Sequence, residues 1–367
     1  MLVKNRDISR SKWLGSADLS LTSMRKRAYS WQLSCLFILL LIVMIFALST
    51  GRYDVSFTNV LSILAANVFD ISNHGEASWK IVEERVVELV RLPRVLVAGL
   101  CGAALSISGA ALQGMFRNPL VGPQVIGVSS GAAFGGVLSI LFMLPDYFIP
   151  VAAFLFGLIA LIITMAIASA GGGKNVLALI LGGIVTSAFF SSLVSLAKYT
   201  ADPDDSLPAI VYWLLGSFNE SGYVDVLYLL VPVLTAGVLI LKMRHVINIL
   251  SLGEEEARSI GINVDISRWV VLVSCSLLIA ATVSVSGIVG WVGLIIPHFA
   301  RMITGANHVR LLPISMLIGA IYMILVDTVA RTASYGEIPI GVLTSLIGAP
   351  IFGWLLYRTQ MKGWSND

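Results

Sequence analysis

Apolar stretches long enough to cross a bilayer recur along most of this chain and constrain its fold more than any other feature. Ten can be read, at 31–50, 92–113, 123–145, 149–170, 175–197, 225–243, 268–288, 289–303, 310–330 and 338–358. A spanning helix needs about 20 predominantly apolar residues, and in lipid only helices or closed barrels satisfy their own backbone groups. Charged residues make up 12% of the chain, against roughly 25% in soluble domains, so no water-bounded interior can absorb the apolar remainder. The expected fold is all-α: a polytopic membrane protein of about ten transmembrane helices. A single domain covers 31–360, after a basic segment at 1–30 and before a short tail at 361–367. The stretch at 289–303 is the weakest, because Pro297 and His298 interrupt it. It reads as a re-entrant or tilted helix protected by protein.

Charge distribution sets the expected sidedness. Seven of the 24 Lys and Arg residues lie in the first 27 positions. A cytoplasmic N-terminus puts 17 basic residues inside and seven outside, as the positive-inside bias requires. The acidic 198–224 loop, with Asp202, Asp204, Asp205 and Glu220, then faces outward. A cleavable signal peptide would have an apolar core of about 7–15 residues, shorter than Trp31 to Leu48. Cys35, Cys101 and Cys275 lie inside apolar spans and suggest neither a disulfide nor a metal site.

Small residues recur at helical spacing within the second and third spans. Ala98, Gly102, Ser106, Ala110 and Gly114 form one ridge; Gly127, Gly131 and Gly135 form another. Such ridges let helix backbones approach closely in a membrane, and tight packing alone explains them as well as a functional role does. Arg91-Leu92-Pro93-Arg94 precedes the first ridge, and Arg117-Asn118-Pro119-Leu120 separates the two. On their own terms Arg91 and Arg94 can be interfacial anchors, and Asn118-Pro119 an ordinary turn.

A charged island lies between the sixth and seventh spans. Ser251 is placed to cap a short helix with Glu254 as its capping-box partner. Glu254, Glu255 and Glu256 suit the helix dipole, and Gly261 is placed just past the helix end. The 251–264 segment is either a solvated loop helix or a docking element for a cytoplasmic partner. No nucleotide motif accompanies it. Gly171-Gly172-Gly173-Lys174-Asn175 lacks the earlier glycine of a P-loop, where Ala168 stands, and the following Ser or Thr. Nucleophile-elbow and zinc-protease motifs are missing too. The chain is therefore expected to be no enzyme and to need no cofactor or metal, with any ATP-driven work supplied by another chain. Charges within a membrane mark ion coupling. Asp327 is the one exception to their scarcity, and with Arg331 it reads as an i,i+4 pair ahead of a proton relay. An ion-coupled secondary transporter and an intramembrane enzyme are the rival classes. Transport that survives loss of an ATPase marks the first, and turnover by the chain alone marks the second.

Together these blocks resemble the FecCD family, the permease subunits of ATP-binding-cassette importers for iron–siderophore complexes, haem and vitamin B12. The resemblance covers about 51–360 and rests on four blocks in order. The first is Arg91-Leu92-Pro93-Arg94 with Ser108-Gly109-Ala110 and Gln113. The second is Arg117-Asn118-Pro119-Leu120 with Gly127 to Ala132. The third is Gly253 to Val264. The fourth is Gly290 to Arg301, continued by Asp327, Arg331, Pro339-Ile340-Gly341 and Gly348-Ala349-Pro350. It implies a BtuC-like permease fold of ten helices acting as a dimer, identical or mixed, with the path at the dimer interface. The implied partners are two cytoplasmic ATPase subunits, an extracytoplasmic substrate-binding protein, a second permease subunit and membrane lipid, with no nucleic acid. The implied location is the cytoplasmic membrane, with both termini cytoplasmic. The resemblance further implies docking of the binding protein at Arg91, Arg94 and Arg331. It implies ATPase coupling through Leu252, Gly253, Glu254, Ala257, Ile260 and Gly261, and a constriction at the inner end of the path at Asn118, Pro119 and Leu120. The implied cargo is a ferric siderophore, with haem or a corrinoid as the alternative. Gly122 stands where the family usually has an acidic residue. Residues 1–30 exceed the family pattern and are expected to be disordered or to lie on anionic lipid.

Overall fold

The computed structural model describes residues 4–69, 79–170 and 176–363, and these contain helices and turns but no strand. The helices run in order as α1 (Lys4–Ser49), α2 (Phe57–Phe69), α3 (Ile81–Arg85), α4 (Leu92–Met115), α5 (Val128–Leu141) and α6 (Phe148–Ala170). Next come α7 (Val176–Thr200), α8 (Ser206–Leu215), α9 (Tyr223–Pro232), α10 (Val238–Lys242), α11 (Arg244–Leu250) and α12 (Glu254–Ser259). The last are α13 (Val264–Ser286), α14 (Val292–Thr304), α15 (His308–Thr332) and α16 (Ile340–Gly363). The Gly171 to Asn175 stretch, His74 and the last four residues of the tail lie outside the described residues.

Among the described residues, seven helical stretches are long and apolar enough to span, and they coincide with seven of the ten expected. The other three are shorter apolar helices: α5, α14 and the Ile340–Leu355 part of α16. At 13 residues, α14 is roughly 20 Å long, which is the half-span its sequence suggests. Two short apolar helices, α2 and α8, occupy stretches read as loops, since neither reaches spanning length. The second span begins at Ile81 instead of 92, because a π-helical turn at Val86–Arg91 continues α3 into α4. A second π turn, at Val233–Gly237, follows Pro232 and joins α9 to α10 in one span. A π bulge is a common way for a helix to absorb a local misfit such as proline's missing donor.

Helices at the centre are apolar all round and those at the edge are open on one side. Of the most apolar window in Ile81–Met115, 83% is buried by protein, against 17% in Arg27–Ser49. So α4 is the axis of the bundle and α1 lines its edge. The small ridge on α4 does what its spacing suggests. A Cβ on Gly102 would sit 2.1 Å from Gly319 O of α15, and one on Gly319 would sit 2.3 Å from Gly102 O. A Cβ on Gly109 would sit 1.8 Å from Gly293 O of α14. On α5, Gly131 and Gly135 lie against the Phe156 and Ala152 carbonyls of α6. Gly127 combines two roles: it precedes α5 in a turn at φ 85°, and a Cβ there would sit 3.0 Å from Thr186 Cβ of α7.

Between α13 and α14 the backbone leaves helical geometry inside the bundle. There Ser217 N donates to Ser286 O at 3.0 Å, and Ile340 N donates to Gly216 O at 2.9 Å. The breaks before α9, α14 and α16 thus satisfy one another, which is the condition for irregular backbone among spanning helices.

Candidate functional site

The bundle has two chemically distinct ends, joined by α4. One end gathers the arginines expected to dock a partner. Arg94 donates from Nε and Nη2 to Asp327 Oδ1 at 2.9 and 2.8 Å, and from Nη1 and Nη2 to Glu337 at 3.1 and 2.9 Å. Arg331 lies 3.8 Å from Asp327 Oδ2, the i,i+4 pair expected, and also donates to Ala47 O. Arg91 donates to Leu48 O at 2.7 Å, to Ser49 O at 3.0 Å and to Tyr53 O. The last carbonyls of a helix have no partner within it, and arginine side chains can supply one. Arg91 and Arg331 therefore cap α1, while Arg94 fastens α15 and the turn before α16 to α4.

These side chains are not presented to a surface. Arg91, Arg94 and Arg331 are 4–6% exposed, and Asp327 is 1% exposed. The physical reason lies in the acceptors: two acids and the frayed carbonyls of α1 pull the guanidinium groups inward. Glu337 is the outermost acceptor, its side chain 17% exposed. No local pattern marks it, because it meets Arg94 across 243 residues. A cavity of about 720 Å³ near this end is lined in part by Asp146, Asp205, Glu220 and Asp225.

The other end carries the expected constriction and the charged island. α4 closes in a Schellman turn, with Asn118 N donating to Gln113 O at 3.1 Å and Arg117 N to Gly114 O at 3.3 Å. Arg117 holds the left-handed position, at φ 51°. Asn118 Oδ1 accepts from Leu120 N at 2.9 Å, so Asn118 and Pro119 shape the turn while exposed Leu120 borders a cavity. Alongside, Arg301 donates to Gln113 Oε1, and Asn248 Oδ1 accepts from His308 N at 2.9 Å. The segments read as one face of the membrane by charge thus gather at one end.

The island helix is α12, and its start differs from expectation. Gly253 is the N-cap, whereas Ser251 closes α11 and donates from Oγ to Asn248 O at 2.7 Å. Glu254 pairs with Arg268 of α13 in place of a capping box. The end is as expected. Gly261 at φ 85° donates to Arg258 O, and Ile262 N to Ala257 O, both at 3.0 Å, while Ile262 packs with buried Ala257, Leu250 and Val264. The six residues expected to couple to an ATPase divide. Gly253 and Ala257 are buried, Glu254 is tied to α13, and exposed Gly261 makes the turn. Leu252 and Ile260 are exposed apolar side chains flanked by exposed Glu255 and Glu256.

Two cavities lie between these ends. One, of about 150 Å³, lies among α4, α13, α14 and the 122–125 turn and is bordered by exposed Leu120. The other, of about 620 Å³, opens beside α16 and α8. None of the described residues lining either is charged. Among the described residues no group of three or more His, Cys, Asp or Glu is placed to hold a metal.

Residues 39–358 match the model of the FecCD transport family. The chain is 44% identical over 340 residues to a molybdate import system permease protein of Haemophilus influenzae, covering 93% of this chain and 99% of that protein. It is 36% identical over 335 residues to a hemin transport system permease protein of Yersinia pestis, covering 89% and 96%. A metal-chelate type ABC transporter solved in an inward-facing conformation matches with a TM-score of 0.78 and 44% identity, over 89% of this chain and 98% of that one.

Proposed function

Because the chain belongs to the FecCD transport family, and so is a permease subunit of an ATP-binding-cassette importer, we propose that it carries a metal bound in an organic chelate, a ferric siderophore first. The uncharged lining of both cavities is the observation that supports this cargo. A bare ion is expensive to desolvate against uncharged walls, whereas a chelate shields its metal and brings its own surface. Haem is a neighbouring possibility of the same kind. The 44% identity to a molybdate permease favours a second reading, a small oxyanion.

In this reading two ATPase subunits dock at the α12 end, where Leu252 and Ile260 supply apolar contact and Glu255 and Glu256 supply charge. A second permease subunit, identical or related, closes the open side of the path. A binding protein docks at the Arg94 end, and its carboxylates reach Arg94 by displacing Glu337. The α12 end faces the cytoplasm in this reading, which the basic residues gathered there support.

The test is uptake by a strain lacking the importer, complemented by this chain with its ATPase and binding protein. Radioactive iron in a panel of siderophores, haem, and radioactive molybdate are supplied in parallel. Uptake of an iron chelate with no response to molybdate is the expected result. Molybdate uptake alone replaces the cargo, and uptake that continues with an ATPase unable to hydrolyse ATP overturns the importer reading.

A further inference from the structure

At the end of the bundle that carries α12, three spans meet the interface side by side. The Arg27–Ser49 part of α1 begins there, the Tyr223–Lys242 span ends there, and α15 begins there. Tyr29, Leu33 and Leu36, on one face of α1, pack with Ala300 of α14 and with Leu311 and Ile314 of α15. The Arg310 guanidinium stands 5.7 Å from the centre of the Tyr29 ring, a cation–π contact that holds it at the edge of the bundle. Arg244, the first residue of α11, shares a helix face with Asn248, and Asn248 Oδ1 accepts from His308 N at 2.9 Å. That bond brings Arg244 beside the start of α15, within electrostatic reach of the Tyr29 hydroxyl. Among the described residues neither Arg244 nor Arg310 pairs with a carboxylate. The surrounding sequence offers none, since 27–49, 242–253 and 292–326 contain no Asp or Glu. All three side chains are partly exposed.

We propose that Arg244, Arg310 and the Tyr29 hydroxyl bind the phosphate of an anionic phospholipid between α1, α11 and α15. Basic pockets between spanning helices take such headgroups. Guanidinium groups from two helices grip the phosphate oxygens, and the phenol donates a further hydrogen bond. A general bias of basic residues toward one face accounts for cations at this end. It does not account for two of them converging on one ring with no acid to balance them. The occupant is lipid and not free phosphate because the outer wall of the pocket is α1, whose spanning window is 17% buried by protein. Trp31, 72% exposed beside Tyr29, suits the same headgroup depth. Both arginines lie outside the basic 1–30 segment, and the site depends neither on the cargo nor on the permease reading.

Native mass spectrometry of the purified full chain in detergent, stripped of lipid and titrated with dioleoyl phosphatidylglycerol or dioleoyl phosphatidylcholine, tests this. The parent is expected to bind the first phosphatidylglycerol more tightly than phosphatidylcholine. Arg244→Gln or Arg310→Gln should weaken that binding about fivefold, and the two together about 25-fold. The Arg244→Lys, Arg310→Lys pair keeps the charge and should lose less than fivefold; it carries the test with the single variants if the glutamine pair does not fold. Arg258→Gln removes an exposed cation from α12 and should leave the affinity unchanged. Equal affinity for the two lipids, or no loss in the glutamine variants, overturns the site. An equal loss in Arg258→Gln overturns it too, since the attraction is then diffuse. Displacement of phosphatidylglycerol by millimolar inorganic phosphate overturns the choice of lipid.

Discussion

Replacing Arg94 by Met keeps much of the length of the side chain and removes its charge and fork. Asp327, 1% exposed, then keeps one cationic neighbour, Arg331 at 3.8 Å. Breaking a buried ion pair from one side costs about 3–5 kcal/mol, because the remaining charge is stranded. Arg331 remains to share that charge, so the expected loss is near the lower end, about 3 kcal/mol. Glu337 adds little, since its partly exposed carboxylate can turn to water; Glu337→Gln should cost about 1 kcal/mol or less. Joining Arg94→Met to Asp327→Leu should cost less than the sum of the two single changes, since the charge each single change strands is absent when both are made. Reversible unfolding of the purified chain by SDS in mixed micelles reads these differences. A loss below about 1 kcal/mol for Arg94→Met, or a double variant as costly as the sum of its singles, would refute the clamp. Docking assays are better made with Glu337→Gln, which leaves Arg94 held by Asp327. That variant should bind the binding protein at least as tightly as the parent, because the competing internal carboxylate is gone.

Other expected outcomes come from single contacts. Thr164→Val removes hydroxyl bonds to Ile126 O at 2.9 Å and Thr186 Oγ1 at 3.0 Å, and should cost about 1–2 kcal/mol in the same SDS titration. Gly261→Ala meets no neighbouring atom within 4 Å but keeps φ 85°. It should lose about 1 kcal/mol, seen as faster amide exchange in 254–262, whereas Gly261→Asn, better suited to that backbone, should lose less. Gly353→Ala, also without neighbours, should leave the SDS midpoint unchanged. Gly109→Ala, placed 1.8 Å from Gly293 O, should reduce the yield of monodisperse protein on size exclusion.

The bundle was legible because lipid imposes a length on each span, and length is visible in sequence. What escaped was shorter than that length. α2 and α8 are apolar but too brief to register as crossings, and the π turn at Val86–Arg91 drew the second span back to Ile81 past charges that looked like its boundary. The small ridges were legible as close approaches, as at Gly102, but the spacing did not reveal that Gly127 also sits in a turn at φ 85°. The candidate site was legible in its residue types and their placement at the ends. Its pairing was not, because Arg94 meets Asp327 and Glu337 more than 230 residues away. Trp291 gave no signal at all: nothing in Gly290-Trp291-Val292 announces a turn at φ 69°. On the island, Ser251 offered good capping chemistry, but Arg268, in the next span, drew Glu254 away from it.

The contact between α4 and α15 limits how this protein can change over time. Elsewhere in a core, a residue that grows can be accommodated when its neighbour shrinks. At Gly102 and Gly319 each carbonyl occupies the space where the other residue's first side-chain carbon would go, and no residue is smaller than glycine. A selection for second-site suppressors of Gly102→Ala should therefore return no substitution at position 319. Any rescue would have to come from substitutions that let the two helices separate along their whole length.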